Sequence, residues 1–586
     1  MLTDRQIDRQ TDRQTDRQTN ELTGYPSIDK PWLKYYSEEA INAPLPECTV
    51  YEYMYDNNKD YPNDIAINYL GRKISYRQLF ENIDKTAAAF QALSVKPGEI
   101  VTVALPSIPE ALYVVYALNK IGAVANMIHP LAGKEEIIHY LNEVESRVAV
   151  LFDGTHDILK EGIESTSVEH AIVVTAGYSL PFGVKQLYNL KNKKKYVDNG
   201  IYTTWTEFIK GGTNTELTKV DKDPLTMAII SHTGGTTGEP KGVMCSDRNI
   251  NSLTWQLSVL PHRRGDRNLV VLPPFINYSL VDGMLGMVTL GIQAILIPDY
   301  KPNKLVDYIK KYKPSHISSI PPYWEALLDI DNIGNNDFAC LQNIYYGGEA
   351  MAVDNEHRVN EILLQHGAKS VLHKGLGSTE MVSAATMTYD DCNSPGSAGV
   401  PLAKVYCKIV KPESTEELQY NQQGEICFSG PNLMIGYYNN PDATNEIIKV
   451  HQDGQRWLHT GDIGYITDNG VIFVTGRIKR ILVTKGTDGV ATKMFPDRIE
   501  SVINKHPSVN LSCVIGVPDK ERINYPKAVI ELNDGYGSSE DLEREIKQFC
   551  KGKLPDYQIP DEIEILDELP RTERGKVDYR ALERNA

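Results

Sequence analysis

The sequence predicts an α/β protein: a large N-terminal domain of helix-covered, largely parallel sheets with a small antiparallel subdomain, followed by a small, mobile α+β C-terminal domain. Three observations carry this. The chain has 586 residues, more than one hydrophobic core usually supports, so it divides into domains or subdomains. Apolar, β-rich runs bounded by Gly and Pro alternate with longer amphipathic stretches. After about residue 395 that alternation gives way to short strands joined by turns.

The first 24 residues stand apart. "TDRQIDRQTDRQTDRQT" is a tetrapeptide repeat with almost nothing to bury, which predicts disorder. A four-base DNA repeat read in frame yields such a tetrapeptide, so the start is read as extended and left out of the fold. From residue 25 to 478 the large domain runs through "EIVTVAL" then "PEALYVVYALNKIG", "VAVLF", "HAIVVT", "NLVVLP", "QAILIP" then "NKLVDYIKKY", and "HISSIPP" then "YWEALLDI". This is the pattern of parallel strands covered by helices. The runs "YCKIV", "GEICFSG" and "GVIFVTG" predict the antiparallel subdomain. Within 479–586, "PDRIESVINKHP", "LSCVIGVP", "PKAVIEL" and "LEREIKQFCKGKL" predict a closing α+β unit, with the charged link Gly476-Arg477-Ile478-Lys479-Arg480 at its border.

Bulk properties narrow the function. Hydrophobic content is 41% and charged content 24%, ordinary for a soluble globular protein. A net charge of −16 argues against nucleic acid as a partner, which needs a basic surface, but not against a nucleotide, whose phosphates need only a local cradle. The densest basic run, Lys191-Asn-Lys-Lys-Lys195, reads as a solvated face. The eight cysteines are scattered without Cys-x-x-Cys spacing, as in a reduced protein rather than a disulfide framework or zinc site. Leu280 to Ile297 is apolar but carries Asp282, Thr289 and Gln293, so it reads as buried structure and not a membrane span. With no signal pattern at the N-terminus, a cytoplasmic enzyme is expected.

The chemistry-bearing stretch is Ser231-His-Thr-Gly-Gly-Thr-Thr-Gly-Glu-Pro-Lys-Gly-Val-Met244, directly after the strand-like "LTMAII". A strand entering a Gly-rich loop can aim backbone N–H groups at an anion. The Walker A order is broken, because Gly242 follows Lys241 where that motif has Ser or Thr. Thr233 to Gly242 resembles the signature loop of the adenylate-forming (AMP-binding) superfamily, which includes acyl-CoA synthetases, peptide-synthetase adenylation domains and beetle luciferases. "YGGEAM" (346–351), "GLGSTE" (375–380), "GEICFSGPNLMIGYYNNPDAT" (424–444), "WLHTGD" (457–462), "GRIKR" (476–480) and "LPRTERGKVDYRAL" (569–582) follow in the family's order. The resemblance covers nearly everything after residue 28.

The resemblance implies a two-step reaction with ATP, Mg²⁺ and coenzyme A. A substrate carboxylate attacks the α-phosphorus of ATP, pyrophosphate leaves, and the acyl-adenylate passes its acyl group to a thiol. Charge builds on phosphate oxygens in the first transition state, so the site needs fixed donors and cations. By resemblance Thr233, Gly234, Gly235, Thr236, Thr237, Gly238 and Lys241 wrap the β and γ phosphates. Glu380, with Thr236, holds Mg²⁺. Gly347, Gly348 and Glu349 form a shelf against adenine, beside Gly375, Leu376, Gly377, Ser378 and Thr379. Asp462 accepts from both ribose hydroxyls, Arg477 reaches ribose or phosphate, and Lys576 bridges the carboxylate and α-phosphate as the catalytic lysine alongside Glu380, Thr236 and Lys241.

The sequence departs from the family at several points. Leu376 stands where an aromatic ring usually stacks on adenine, Gly234 replaces a common serine, and Arg480 occupies a hinge position usually held by Asp or Lys. "KGTDGVATKMFPDRIE" is several residues longer than the usual segment that swings a glycine into the pantetheine tunnel, so Gly486 or Gly489 takes that role. Amino-acid-activating relatives carry an aspartate just after the Phe of the "PPF" region. Here Ile276 and Asn277 follow Phe275, leaving a buried ammonium without a counter-ion. Gly283, Met284, Gly286 and Met287, with Ser383, Ala384 and Ala385, suggest a roomy apolar pocket, with core packing as the competing explanation. The reading is an ATP-dependent acid–CoA ligase acting on an aliphatic, fatty acid. Its rivals are an acyl-AMP ligase loading an acyl carrier protein, and a non-catalytic or luciferase-like relative.

Overall fold

The computed structural model describes residues 22–191, 200–233, 240–480, 482–485, 491–494, 496–520, 522–533, 535–571 and 577–585. Residues 1–21 of the repeat tail therefore lie outside the described residues.

Two large sheets form the first part of the chain. One has eight strands in the spatial order 436–437, 242–246, 227–232, 124–127, 100–104, 148–152, 170–174, 202–204. It is parallel from 227–232 onward and antiparallel only where 242–246 meets its two neighbours. The other has seven strands, 373–374, 343–346, 316–319, 267–270, 293–296, 65–69, 72–75, all parallel except the closing hairpin 65–69/72–75.

Both sheets are buried on two faces, and the period-2 alternation of side chains sorts their residues into different cores. Val148 and Val150 join a central core that also takes Ala66, Val270 and Leu296 from the second sheet. Their neighbours Ala149 and Leu151 face an outer core with Ile137 and Leu141, and Leu269 and Ile295 face another with Ile309 and Val359. The helix Pro109–Lys120 runs through the central layer and is buried along nearly its whole length, as a helix apolar all round must be. Its Tyr116 hydroxyl donates to Leu285 O at 3.1 Å, tying the first sheet to the helix that covers the second.

After residue 400 the expected change of texture is present. Strands 406–410, 424–429, 456–466, 448–450 and 472–477 form an antiparallel sheet. The C-terminal part holds a three-stranded sheet of 509–519, 523–532 and 562–566 with its own core of Ile499, Ile503, Val514, Ile530 and Ile546. Among the described residues no helix is long and apolar enough to cross a membrane. The segment 280–297 is a π-helical turn, Tyr278–Leu285, running into a short α-helix and a strand.

Candidate active site

In open parallel sheets, ligands bind in the crevice beyond the carboxyl ends of the strands. Thr233, Gly347 and Gly375 lie there. Gly347 follows strand Asn343–Tyr346 and its N–H donates to Ser319 O; Gly375 follows His373–Lys374 and its N–H donates to Tyr346 O. Two of these glycines are required by geometry. Gly348 has φ +85°, a left-handed conformation that suits glycine. A Cβ on Gly377 would lie 1.7 Å from Ser383 O, so no other residue fits. Leu376, where the family has an aromatic ring, is half-buried and packs its side chain on the central core.

Thr233 leaves strand Met227–His232 and Lys241 precedes strand Gly242–Ser246. The two close the mouth of the signature loop: Thr233 N donates to Lys241 O at 3.0 Å and Lys241 N to Thr233 Oγ1 at 3.1 Å. Strand Gly436–Tyr437 pairs with the second arm of this hairpin, Tyr437 opposite Val243. That register sets the Tyr437 ring under the Lys241 ammonium, 5.1 Å from Nζ to ring centroid, and its hydroxyl donates to Glu380 Oε1 at 2.6 Å. Burial, reinforced by the Glu380 charge, raises the Tyr437 hydroxyl far above its ordinary range, so it stays a donor. Glu380 is further held by Met434 N donating to its carbonyl at 2.8 Å. Lys241 and Glu380, 139 residues apart in sequence, are thus joined through one tyrosine.

Asp462 and Arg477 are cross-strand partners, with Arg477 Nε 2.8 Å from Asp462 Oδ1. The aspartate is buried and the arginine mostly exposed. Beneath this turn lies a polar strut: Glu425 accepts from Gly461 N at 3.1 Å and meets His459 Nδ1 at 2.8 Å, and His459 Nε2 meets His451 Nε2 at 2.9 Å. Burial first, then the nearby Lys408 ammonium, lowers His451 to about 4, so it is neutral at physiological pH. Cross-strand pairing also brings Cys427 beside His459, and ligand atoms of Glu425, Cys427 and His459 fall within 4.8 Å of one another. Linear cysteine spacing had pointed away from any such grouping. Glu425 and His459 are already committed to each other, so the group serves as the strut.

Sequence reasoning did not single out Tyr437, Glu425, His459 or Asp497, which accepts from Arg477 N at 3.0 Å. All lie in quoted motifs or next to them, but their value depends on strand pairing that spacing does not reveal. It also missed Asp282. This carboxyl is fully buried, with Ser383 as its hydrogen-bond partner and burial pushing it up to about 8; its Oδ1 has no partner among the described residues. The expected pocket residues Met284 and Met287 lie instead in the central core. Gly234, Gly235, Thr236, Thr237, Gly238, Gly486, Gly489 and Lys576 lie outside the described residues.

Two parallel sheets with a glycine–threonine hairpin loop, a carboxylate held beside its lysine, and a buried aspartate at the edge of an antiparallel subdomain define an adenylate-forming architecture. Comparison with known proteins agrees. The AMP-binding enzyme model matches residues 54–438, and the AMP-binding enzyme C-terminal domain model matches 498–576. A long-chain-fatty-acid–CoA ligase of Bacillus subtilis is 28% identical over 566 residues, 94% of this chain and 97% of that one. Probable 4-coumarate–CoA ligase 1 of Dictyostelium discoideum is 27% identical, covering 93% and 96%. Among solved structures, ATP-bound MatB from Rhodopseudomonas palustris superposes with a TM-score of 0.79 at 21% identity, over 92% of this chain and 99% of that one. The anthranilate CoA ligase AuaEII with anthranoyl-AMP does so at 0.79 and 22%, over 93% and 98%. The chain belongs to the AMP-binding enzyme family.

Proposed function

We propose that the protein is an ATP-dependent acid–CoA ligase that adenylates an aliphatic, fatty carboxylic acid and transfers the acyl group to coenzyme A. The observation that carries this reading is the Lys241–Tyr437–Glu380 connection at the mouth of the signature loop. It sets a cation over the face of one ring and an anionic oxygen ligand at that ring's hydroxyl, the two kinds of group a Mg²⁺-bound polyphosphate needs. A carboxylate of this kind suits a hard dication, so Glu380, with Thr236, would hold Mg²⁺, which would offset phosphate charge. Lys241 and the loop from Thr233 to Gly238 would cradle the β and γ phosphates. Asp462 would take the ribose hydroxyls, with Arg477 turned toward the phosphates, while Gly347 to Glu349 and Gly375 to Thr379 would bound the adenine. Lys576 would offset charge at the α-phosphate, and Gly486 or Gly489 would border the thiol's path. The division at residues 478/479 would let the smaller domain serve the two steps in turn.

The acid's uncharged tail is supported inside the site. Asn277 follows the "PPF" region but is occupied: its Oδ1 accepts from Ser231 Oγ at 2.5 Å and its amide contacts Cys245 Sγ at 3.8 Å. The similarity to ligases named for long-chain fatty acids points the same way.

The test is a panel of carboxylic acids with ATP, scored for pyrophosphate release with and without CoA. Acid-dependent release strongest for aliphatic chains, with acyl-CoA forming when CoA is added, is expected. Acyl-AMP that accumulates without passing to CoA transfers the assignment to a carrier-protein ligase, and no acid-dependent release removes the enzymatic reading.

A further inference from the structure

The π-helical turn Tyr278–Leu285 runs past two of the motif loops, and turns of this kind are common at functional sites. Its first residue meets one loop: a Cβ on Gly347 would lie 3.9 Å from the Tyr278 ring. Asp282, about one turn further along, meets the segment that continues the other. It is 3% exposed and has Ser383 as its hydrogen-bond partner. Ser383 belongs to the turn that follows Glu380, and that turn is fixed from two sides. Asn432 Nδ2 donates to Met381 O at 3.1 Å and to Ala384 O at 2.8 Å. Ala385 N donates to Leu376 O at 2.9 Å, which folds residues 383–385 back along "GLGSTE".

The function proposed above gives Asp282 and Ser383 no part in holding phosphate, metal, ribose or adenine. A buried carboxyl is costly unless it is bonded, yet Asp282 Oδ1 has no partner among the described residues, in an interior where such atoms are normally satisfied. Of the three residues after Glu380 that suggested a pocket, Ala384 and Ala385 lie in the central core, while Ser383 is half-buried and keeps an accessible side. The pair is also directional. Burial raises the Asp282 carboxyl and Ser383 draws it down, as a hydroxyl donating to it does. A hydroxyl has one proton and two lone pairs. With its proton turned inward to Asp282, Ser383 offers an acceptor outward, and an acceptor selects a donor. Neither the carboxylate nor the plain chain of an aliphatic acid has a proton to give, so the group that fits is a hydroxyl on the tail.

We propose that Ser383, positioned by Asp282, recognises a hydroxyl on the tail of the acid, making hydroxylated aliphatic acids the substrate class. This rests on the acid–CoA ligase reading and narrows it. The test compares dodecanoic acid with its monohydroxy derivatives as substrates for pyrophosphate release from ATP. At least one derivative is expected to exceed the parent acid by about tenfold or more in kcat/KM, since a site that bonds a hydroxyl rejects the analogue lacking it. The oxo acid of the same position, which accepts but cannot donate, should lose that preference. Ser383→Ala and Asp282→Leu should each collapse the ratio toward one, whereas Asp282→Asn keeps an oxygen for Ser383 and should keep most of it. A purely structural role would instead lower the rates with all acids together and leave the ratio alone. Preference for the parent over every derivative, or a ratio unchanged by Ser383→Ala or Asp282→Leu, overturns this proposal by itself. No release with any acid removes the ligase reading, and the proposal with it.

Discussion

Tyr437 connects the site's cation to its anion, and the connection is made through a single hydroxyl. Groups that orient a metal ligand typically change metal affinity by about 10- to 100-fold when removed. Tyr437→Phe keeps the ring under Lys241 and removes only the donor. The expected result is a roughly tenfold higher Mg²⁺ requirement for pyrophosphate release with little change in melting temperature; an unchanged Mg²⁺ titration would separate Tyr437 from the metal. Asp282 gives a different prediction at the same scale. Its folded value near 8 lies above its ordinary one, so from about pH 4 to pH 8 the native state holds a proton that the unfolded chain has released. Stability then falls as pH rises through that window, by up to about 1.4 kcal/mol per unit. Asp282→Asn cannot ionise and should match the wild type near pH 4 but melt progressively higher than it toward pH 8; parallel melting curves across that range would refute the assignment. Ser383, its partner, follows Val382, whose φ of +63° in a tight turn closed by Ser383 N to Met381 O is a strained conformation for a β-branched residue. None of this was legible in "GSTEMVSAA", because backbone strain and the burial of a carboxyl are products of packing. Glu380, Asp462 and Lys241 could be nominated from the sequence, because the motifs carry the residue types that the proposed chemistry requires.

The elements themselves were read with more success where periodicity was strong. Runs such as "VAVLF" and "HAIVVT" became buried parallel strands, and "NKLVDYIKKY" became a helix. The Gly283-Met284 segment was harder to read, since an apolar stretch rich in glycine and methionine can pack a core or line a pocket; Met284 and Met287 went to the core. The charged link after residue 476 is also more than a tether. Arg480 pairs with both Asp497 and Glu500 of helix Pro496–Ile503, and its Nη2 lies 2.5 Å from Glu500 Oε1. Burial raises Glu500 while Arg480 pulls it down, so removing the arginine strands a buried carboxylate, at a cost of about 3–5 kcal/mol. Arg480→Ala should sharply lower the melting temperature of the C-terminal part, and Arg480→Ala/Glu500→Gln should recover part of the loss. A double variant no better than the single one would show that the ion pair is not the source.

At the scale of the molecule, two largely parallel sheets share one core, and Thr233, Gly347 and Gly375 lie just beyond the carboxyl ends of their strands. The alternation of apolar runs foretold the sheets, and the change of texture near residue 395 foretold the antiparallel part. The order of strands within each sheet was not foretold, since neighbours such as 65–69 and 293–296 are far apart in sequence. The proposed function requires this architecture to form an acyl-adenylate and then transfer the acyl group, as two separable steps. In the proposed reaction Lys576 would serve the first, where an ammonium offsets charge developing on the α-phosphate, and the Gly486–Gly489 segment would serve the second. The most direct measurement is to assay the halves separately in Lys576→Ala: acid-dependent pyrophosphate release from ATP, and conversion of synthetic acyl-AMP plus CoA to acyl-CoA. Loss of most of the first with the second retained is expected; equal impairment of both, in a protein of unchanged melting temperature, would refute the division of the two steps.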